Sequence, residues 1–198
     1  MSPVQPRPHD PIVDDDPTVN RAFYLPRLAR NLYQAHAVVH WTITMHDKAE
    51  GWLTPAFHQD FRELMLHSAA RENLLCPVYC LMPNHMHLIW MGLQPNTDQR
   101  RGMAFLRSHL KHRLAPVRMQ HQAHDHVLRE DERKQNVFAT GCNYILNNPV
   151  ETGLVEKASD WEYSGSVVPG YPALSPMADG FWEVYWGVYW KQRQGENI

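Results

Sequence analysis

The sequence is poor in the features that carry a protein into or across a membrane. It contains no apolar run of about 18 residues, the length that a spanning helix needs. Residues 1–20 carry prolines and aspartates, whereas a signal peptide would begin with a basic segment followed by an apolar one. We therefore expect no membrane partner and a cytoplasmic location, and we expect residues 1–20 to form a flexible arm.

Cysteine is also scarce. The three cysteines, Cys76, Cys80 and Cys142, are odd in number and include no CxxC pair. This pattern excludes a disulfide framework and a zinc knuckle, because both need paired cysteines. The cysteines are expected to be reduced, in agreement with a cytoplasmic location.

Signatures of several enzyme classes are missing as well. The chain has no GxGxxG or GxxxxGK[ST] phosphate-binding loop, no HExxH zinc-protease helix and no GxSxG nucleophile elbow. The formal net charge is −2, so the chain as a whole lacks a basic excess. With 198 residues, of which 43% are hydrophobic and 20% charged, the composition is typical of one globular domain.

Hydrophobic periodicity predicts a mixture of strands and helices. Strands are predicted at residues 38–45, 75–82 and 85–91 and near 127–129, with the turn Pro83-Asn84 joining the second strand to the third. Helices are predicted at residues 54–73, 96–115, 131–148 and 181–190, and a loop at 164–176. The third helix is expected to end before Pro149, because the residue before a proline is pushed out of the helical region. The predicted fold class is α+β, an antiparallel sheet with helices packed on it.

Two histidines stand at the start of the third predicted strand. In the run LMPNHMHLIW, His85 and His87 are two positions apart, so a strand points both imidazoles to one face, about 6.5 Å apart at the backbone. Two such rings can hold one metal ion. The chain has 13 histidines, and His124 and His126 repeat the spacing, so the spacing alone does not separate a metal site from chance.

An ion held by two histidines keeps open positions and can act beside a nucleophile. A tyrosine on a helix suits this role, because a phenolate can attack a phosphorus centre and form a covalent ester. A divalent ion would polarise the phosphate and offset the charge that develops on its oxygens. The spacing does not select Tyr144 from the eight tyrosines of the chain.

Three motifs occur in an order that resembles a known family. They are LMPNHMHLIW at residues 81–90, DHVLR at 125–129, and YILNNPV at 144–150 followed by GLV at 153–155. Each motif is ordinary alone, but their order and spacing resemble the IS200-like transposases, and more closely the REP-associated tyrosine transposase branch, over about residues 21–165. The resemblance implies a ferredoxin-like, RRM-like HUH endonuclease fold.

The resemblance also implies a set of site residues. His85 and His87 match the metal ligands of the family, with Mg²⁺ or Mn²⁺ as the divalent ion. Tyr144 matches the nucleophile that attacks single-stranded DNA and leaves a 5′-phosphotyrosine and a free 3′-OH. The third ligand of the family lies about one helical turn beyond the tyrosine, which favours Asn148 and leaves Asn147 as the alternative.

Cations cluster in and after the second predicted helix, and no acidic residue stands between Asp98 and Asp125. Beside a site that handles phosphates, we expect these cations to contact the DNA backbone, the alternative being a solvated face. The cluster consists of Arg100, Arg101, Arg107, Lys111, Arg113 and Arg118.

The resemblance implies a function and leaves one alternative open. The implied function is a metal-dependent endonuclease and strand transferase that acts on single-stranded or hairpin DNA, as a monomer or homodimer associated with a bacterial nucleoid. The alternative is a non-catalytic regulator, derived from a transposase, that binds hairpin nucleic acid. Residues 21–163 are expected to form the HUH transposase-like catalytic domain, with a loop and an aromatic helix over 164–198 packed on it.

Overall fold

The computed structural model describes residues 27–129 and 136–195. The strands are β1 (Val38–Thr44), β2 (Leu74–Met82), β3 (His85–Gly92), β4 (His124–Val127) and β5 (Ser164–Val167). The helices are α1 (Pro55–Glu72), α2 (Gln99–Leu114), α3 (Val137–Glu151) and α4 (Phe181–Arg193). The predicted arm over residues 1–20 lies outside the described residues, and the division of the chain at residue 163 stays a prediction.

The five strands form one antiparallel sheet in the order β4-β1-β3-β2-β5. Strands β2 and β3 form the predicted tight hairpin, with Met82 opposite His85 across the turn. Strand β1 lies on the other side of β3, where Thr42 is opposite His87. Strand β3 is therefore the middle strand of the sheet, and the predicted α+β fold class is confirmed.

Helices cover both faces of this sheet. On one face, Trp41 of β1 and Leu88 of β3 pack into a core with Phe61 of α1 and Leu106 of α2. On the opposite face, a second core joins Ile89 of β3 to residues of α3 and α4. Because side chains alternate along a strand, His85 and His87 share a face with Ile89, which is the face covered by α3 and α4.

Two of the predicted helix starts, those of α1 and α2, are confirmed by their capping contacts. The hydroxyl of Thr54 accepts a hydrogen bond from the backbone N–H of Phe57 at 3.1 Å, and Pro55 occupies the first helical position. The Asp98 carboxylate accepts from the backbone N–H of Arg100 at 3.1 Å, at the start of α2. In each case a polar side chain satisfies an N–H group that the helix leaves without a partner.

The predicted end of the third helix was wrong. Helix α3 runs through Pro149 and ends at Glu151, and its predicted start at Asp131 lies outside the described residues. Proline removes one backbone donor from α3, and because it stands close to the helix end, few further helical residues follow the lost hydrogen bond. The following turn is closed by Thr152, whose N–H donates to the Asn148 carbonyl at 3.0 Å. Leu146 and Pro149 are buried, so packing opposes the local preference against helix.

The predicted loop at residues 164–176 was also partly wrong. Residues Ser164–Val167 form β5, which pairs with β2 and closes the far edge of the sheet. The segment SGSV has the small residues of a loop, and only pairing with β2 makes it a strand. Gly165 fits there because a Cβ would lie 2.8 Å from the Tyr79 hydroxyl oxygen.

The predicted aromatic helix is confirmed as α4. Its buried side chains include Phe181, Tyr185 and Tyr189. The Trp186 ring lies 5.6 Å from the Phe138 ring of α3, centroid to centroid. Helix α4 therefore packs against α3 on this face of the sheet. Within residues 27–129 and 136–195, no helix is both long and apolar enough to cross a membrane.

Gly92, at the end of β3, lies against the backbone of the segment before β1. A Cβ added at Gly92 would lie 1.8 Å from the carbonyl oxygen of Ala35. We expect Gly92→Ala to destabilise the fold by about 3 kcal/mol, since the backbone must move to admit the methyl group. Urea denaturation followed by circular dichroism measures the loss.

Gly187 in α4 provides the matched control for Gly92. A Cβ there has no atom within 4 Å, and alanine is the better helix former. Gly187→Ala is expected to leave stability unchanged or to raise it by about 0.5–1 kcal/mol. Equal stability of the Gly92→Ala protein and the wild type would contradict this account of the close approach.

Candidate active site

The two histidines of the β3 run point at one another. The Nε2 atoms of His85 and His87 are 3.0 Å apart, and the ring centroids are 4.6 Å apart. The side chain of His87 is buried and that of His85 is half-buried. The strand alternation therefore produces what the spacing predicted, two imidazoles that share one face of the sheet.

The remaining ring nitrogen of each histidine is held by a neighbouring polar group. Nδ1 of His85 lies 2.7 Å from the amide oxygen of Asn84. Nδ1 of His87 lies 3.0 Å from Nε2 of His40 and 3.1 Å from the hydroxyl of Thr42, both on β1. A histidine that donates its Nδ1–H to an acceptor keeps the lone pair on Nε2, so these contacts favour two Nε2 lone pairs that converge.

Burial keeps these imidazoles uncharged. It lowers the pKa of His87 to about 3, with repulsion from His40 and His85 as further causes. It lowers the pKa of His40 to about 4, with repulsion from His126 and His124 adding to the effect. The pKa of His85 is lowered by burial as well. At neutral pH the rings are therefore neutral, which is the form that binds a metal ion.

Tyr144 lies beside the histidines on α3. Its ring is 5.8 Å from the His87 ring between centroids, at an interplanar angle of 69°. Other sides of the helix are held in the core by Cys142 and Ile145. Tyr144 itself is 46% exposed, so its hydroxyl is accessible to a substrate that approaches the histidines.

Because α3 continues through Pro149, Asn147 and Asn148 both lie within the helix. Asn148, four residues after Tyr144, stays on the same side of the helix and is buried, whereas Asn147 is exposed. The amide nitrogen of Asn148 donates to the Tyr144 carbonyl at 3.0 Å. That contact directs the nitrogen to the helix backbone and makes the amide oxygen the side-chain atom suited to a cation.

The donor set fits a small divalent cation. Two ligands at neighbouring corners of an octahedral ion, each bound at about 2.1 Å, are about 3.0 Å apart. The His85 and His87 Nε2 atoms have that separation. Among the described residues, no group of three or more His, Cys, Asp or Glu side chains could hold a metal ion.

Comparisons with known proteins find similarity in sequence and in fold. No family model matches the chain. A curated protein of Haemophilus influenzae, named a REP-associated tyrosine transposase, is 26% identical over 141 residues, covering 63% of this chain and 76% of that protein. A solved structure of a REP-associated tyrosine transposase bound to a REP hairpin matches with a TM-score of 0.59 at 21% identity. That match covers 70% of this chain and 82% of the other.

The chain is similar in sequence and in fold to REP-associated tyrosine transposases. The resemblance drawn from the three sequence motifs is thereby confirmed, and the structural match confirms the fold.

The structure places the members of the predicted basic cluster that lie on α2 apart from the histidines and Tyr144. Helix α2 packs through Leu106 and Leu110 on the other face of the sheet. Several of its cations have protein partners: Arg101 with Glu72 at 3.4 Å, Arg113 with Asp60 at 3.5 Å, and Arg107 with the carbonyls of Gln120 and His121 at 2.6 and 2.9 Å. The Arg100 guanidinium lies 6.0 Å from the Tyr33 ring centroid, and Lys111 and Arg118 are exposed.

Three residues of the site were missed by the sequence argument. They are Asn84, His40 and Thr42, whose polar atoms contact the ring nitrogens of His85 and His87. A signal existed for the β1 pair, because the alternation of residues 38–45 places His40 and Thr42 on the polar face of that strand. No local pattern indicates that this face adjoins His87, since the pairing of β1 with β3 joins segments far apart in sequence.

Proposed function

We propose that this protein is a metal-dependent single-stranded DNA endonuclease and strand transferase that uses Tyr144 as its nucleophile. The observation that carries the proposal is the position of an accessible Tyr144 ring 5.8 Å from His87, which in turn faces His85 at 3.0 Å. The relationship to the REP-associated tyrosine transposases supports it independently.

The proposed reaction exchanges one phosphodiester for another. The Tyr144 oxygen attacks the scissile phosphorus, and the P–O3′ bond breaks as the new P–O bond forms. The phenol loses its proton to solvent, the 3′ oxygen gains one, and the 5′ end stays on the protein as a phosphotyrosine. A 3′-OH of another strand reverses the step and releases Tyr144. No ATP is needed, because the phosphotyrosine retains the bond energy.

His85, His87 and Asn148 would hold a divalent cation, Mg²⁺ or Mn²⁺, in this reaction. When bound, the cation would polarise the phosphate and offset negative charge on its oxygens. The protein contributes two neutral imidazoles whose orientation is fixed by hydrogen bonds to Asn84, His40 and Thr42. Tyr144 lies on α3, which packs against α4 and the sheet. The nucleophile and the cation would therefore be held at fixed positions relative to each other.

We propose hairpin DNA with a single-stranded flank as the substrate. The REP-associated tyrosine transposase that this fold matches was solved with a REP hairpin, and this supports the choice. The members of the basic cluster on α2 would contact the DNA backbone away from the cleavage site, since α2 lies on the other face of the sheet. Of its members, Lys111 and Arg118 are the most suitable, because both are exposed and outside the protein contacts of Arg101, Arg107 and Arg113.

A cleavage assay on a labelled oligonucleotide tests this function. The substrate is a hairpin with a single-stranded flank, taken from the DNA beside the protein's own gene, incubated with and without Mn²⁺. We expect a denaturant-resistant protein–DNA adduct that requires Mn²⁺ and disappears with EDTA. A fully paired duplex of the same sequence is the control and is expected to give no adduct.

Two other outcomes of that assay would indicate a different function. Tight hairpin binding without cleavage would overturn the proposal in favour of a non-catalytic hairpin-binding regulator. Cleavage that releases a free 5′-phosphate without any adduct would indicate a metal hydrolase that uses water.

A further inference from the structure

His40 contacts a proposed metal ligand from the neighbouring strand. Its Nε2 atom lies 3.0 Å from Nδ1 of His87, and the two ring centroids are 5.1 Å apart. Thr42 reaches the same Nδ1 atom with its hydroxyl at 3.1 Å. His87 thus has two possible hydrogen-bond partners on one side and His85 on the other.

The strand register explains how His40 reaches His87. Thr42 stands directly opposite His87, and His40 stands opposite Ile89, so His40 approaches His87 on the diagonal. An imidazole is long enough to cover that diagonal distance. A β-branched residue at position 40 would pair as well in the strand but would not reach Nδ1 of His87.

The direction of this hydrogen bond determines which nitrogen of His87 is available. If Nδ1 of His87 donates its hydrogen, its Nε2 carries the lone pair and faces Nε2 of His85. If Nδ1 accepts, Nε2 carries the hydrogen and cannot bind a cation. An acceptor at Nδ1 is therefore required for His87 to act as a ligand. Nε2 of His40 can be such an acceptor, provided that His40 carries its own hydrogen on Nδ1.

We propose that His40 is a positioning residue that accepts the Nδ1–H of His87 and thereby directs the Nε2 lone pair of His87 toward the cation. It does not touch substrate or cation and acts only through His87. This inference rests on the proposed function in one respect, namely that His85 and His87 hold a divalent cation.

Mn²⁺ binding, measured by electron paramagnetic resonance on the DNA-free protein, tests this role. We expect His40→Leu to weaken Mn²⁺ binding by about 10- to 100-fold, because leucine offers no acceptor. His40→Gln, whose amide oxygen can accept in the same place, is expected to restore binding to within about threefold. His67→Leu is the control, since it removes an exposed histidine of α1 on the opposite face of the sheet, and it is expected to bind Mn²⁺ as the wild type does.

A second measurement needs no variant and does not depend on the stability of one. In the ¹⁵N-labelled wild-type protein with saturating Mg²⁺, a ¹⁵N–¹⁵N coupling through the hydrogen bond is expected between Nδ1 of His87 and Nε2 of His40. Absence of this coupling would overturn the proposal. So would wild-type Mn²⁺ affinity in His40→Leu together with weakened binding in Thr42→Val, because Thr42 would then be the acceptor.

Both readouts are independent of DNA cleavage. If the protein binds Mn²⁺ through His87 but forms no adduct, the proposed function fails while the role of His40 stands. If adducts form and His40→Leu changes neither Mn²⁺ affinity nor its metal requirement for cleavage, the role of His40 fails while the proposed function stands.

Discussion

Tyr144→Phe is expected to abolish the covalent protein–DNA adduct and to reduce strand cleavage by on the order of a thousandfold or more. The substitution removes only the hydroxyl oxygen that would form the bond to phosphorus. Tyr144 is 46% exposed, so loss of the hydroxyl should change stability by no more than about 0.5 kcal/mol. Denaturing gel electrophoresis of the labelled oligonucleotide measures the adduct, and a mobility-shift assay measures hairpin binding.

The matched control for Tyr144→Phe is a tyrosine far from the histidines. Tyr171, in the segment between β5 and α4, is partly buried against the second core. Tyr171→Phe makes the same chemical change and is expected to leave adduct formation intact. Both variants are expected to bind the hairpin as tightly as the wild type. Adducts that persist in Tyr144→Phe would show that another residue is the nucleophile.

His87→Ala is expected to weaken Mn²⁺ binding by on the order of a hundredfold and to eliminate detectable adduct formation. The His87 side chain is buried and its ring nitrogens contact His85, His40 and Thr42. The substitution therefore removes one proposed ligand and the group that links the other polar residues of the site. Electron paramagnetic resonance of free Mn²⁺ measures binding, and the oligonucleotide assay measures cleavage.

His67→Ala is the control for His87→Ala. His67 is an exposed residue of α1, on the opposite face of the sheet, and its replacement is expected to leave Mn²⁺ binding and cleavage unchanged. Circular dichroism checks that His87→Ala still folds. Wild-type cleavage by a folded His87→Ala protein would exclude a metal ion held at this position.

The two substitutions are expected to separate binding of the cation from formation of the covalent bond. Tyr144→Phe should bind Mn²⁺ normally and form no adduct, whereas His87→Ala should lack both properties. A generic metal hydrolase would show another pattern, because its turnover would survive the loss of Tyr144. The pair of variants therefore tests the division of roles between the nucleophile and the histidines.

Much of the architecture could be predicted because its signals are local. The alternation of residues 38–45 predicts strand β1, and the Pro83-Asn84 turn predicts the hairpin of β2 and β3. Both are present in the structure. Thr54 and Asp98 mark helix starts through their own side chains, which need only the next few residues to act. The errors arose where distant contacts outweigh local preference, as at Pro149 and in the SGSV strand β5.

The placement of the basic cluster is a different kind of discrepancy. The sequence gives the charge of Arg100, Arg107 and Lys111 but not the face of the sheet on which α2 packs. That face depends on the side of the sheet to which the connection from β3 leads. It also depends on the apolar side chains of α2, which pack in the same core as those of α1. Charge alone therefore identified a cationic surface but gave no information about its distance from Tyr144.

The sequence by itself determined that His85 and His87 share one face of a strand, because the spacing of two residues and the period of a strand require it. It also determined the family resemblance, through the order of three short motifs. Only the tertiary structure decided that Tyr144 meets that face and that His40 and Thr42 hold His87 there. Those contacts depend on the pairing of β1 with β3 and on the docking of α3. Both bring together segments that no local pattern relates, because the free energy that selects them comes from long-range packing.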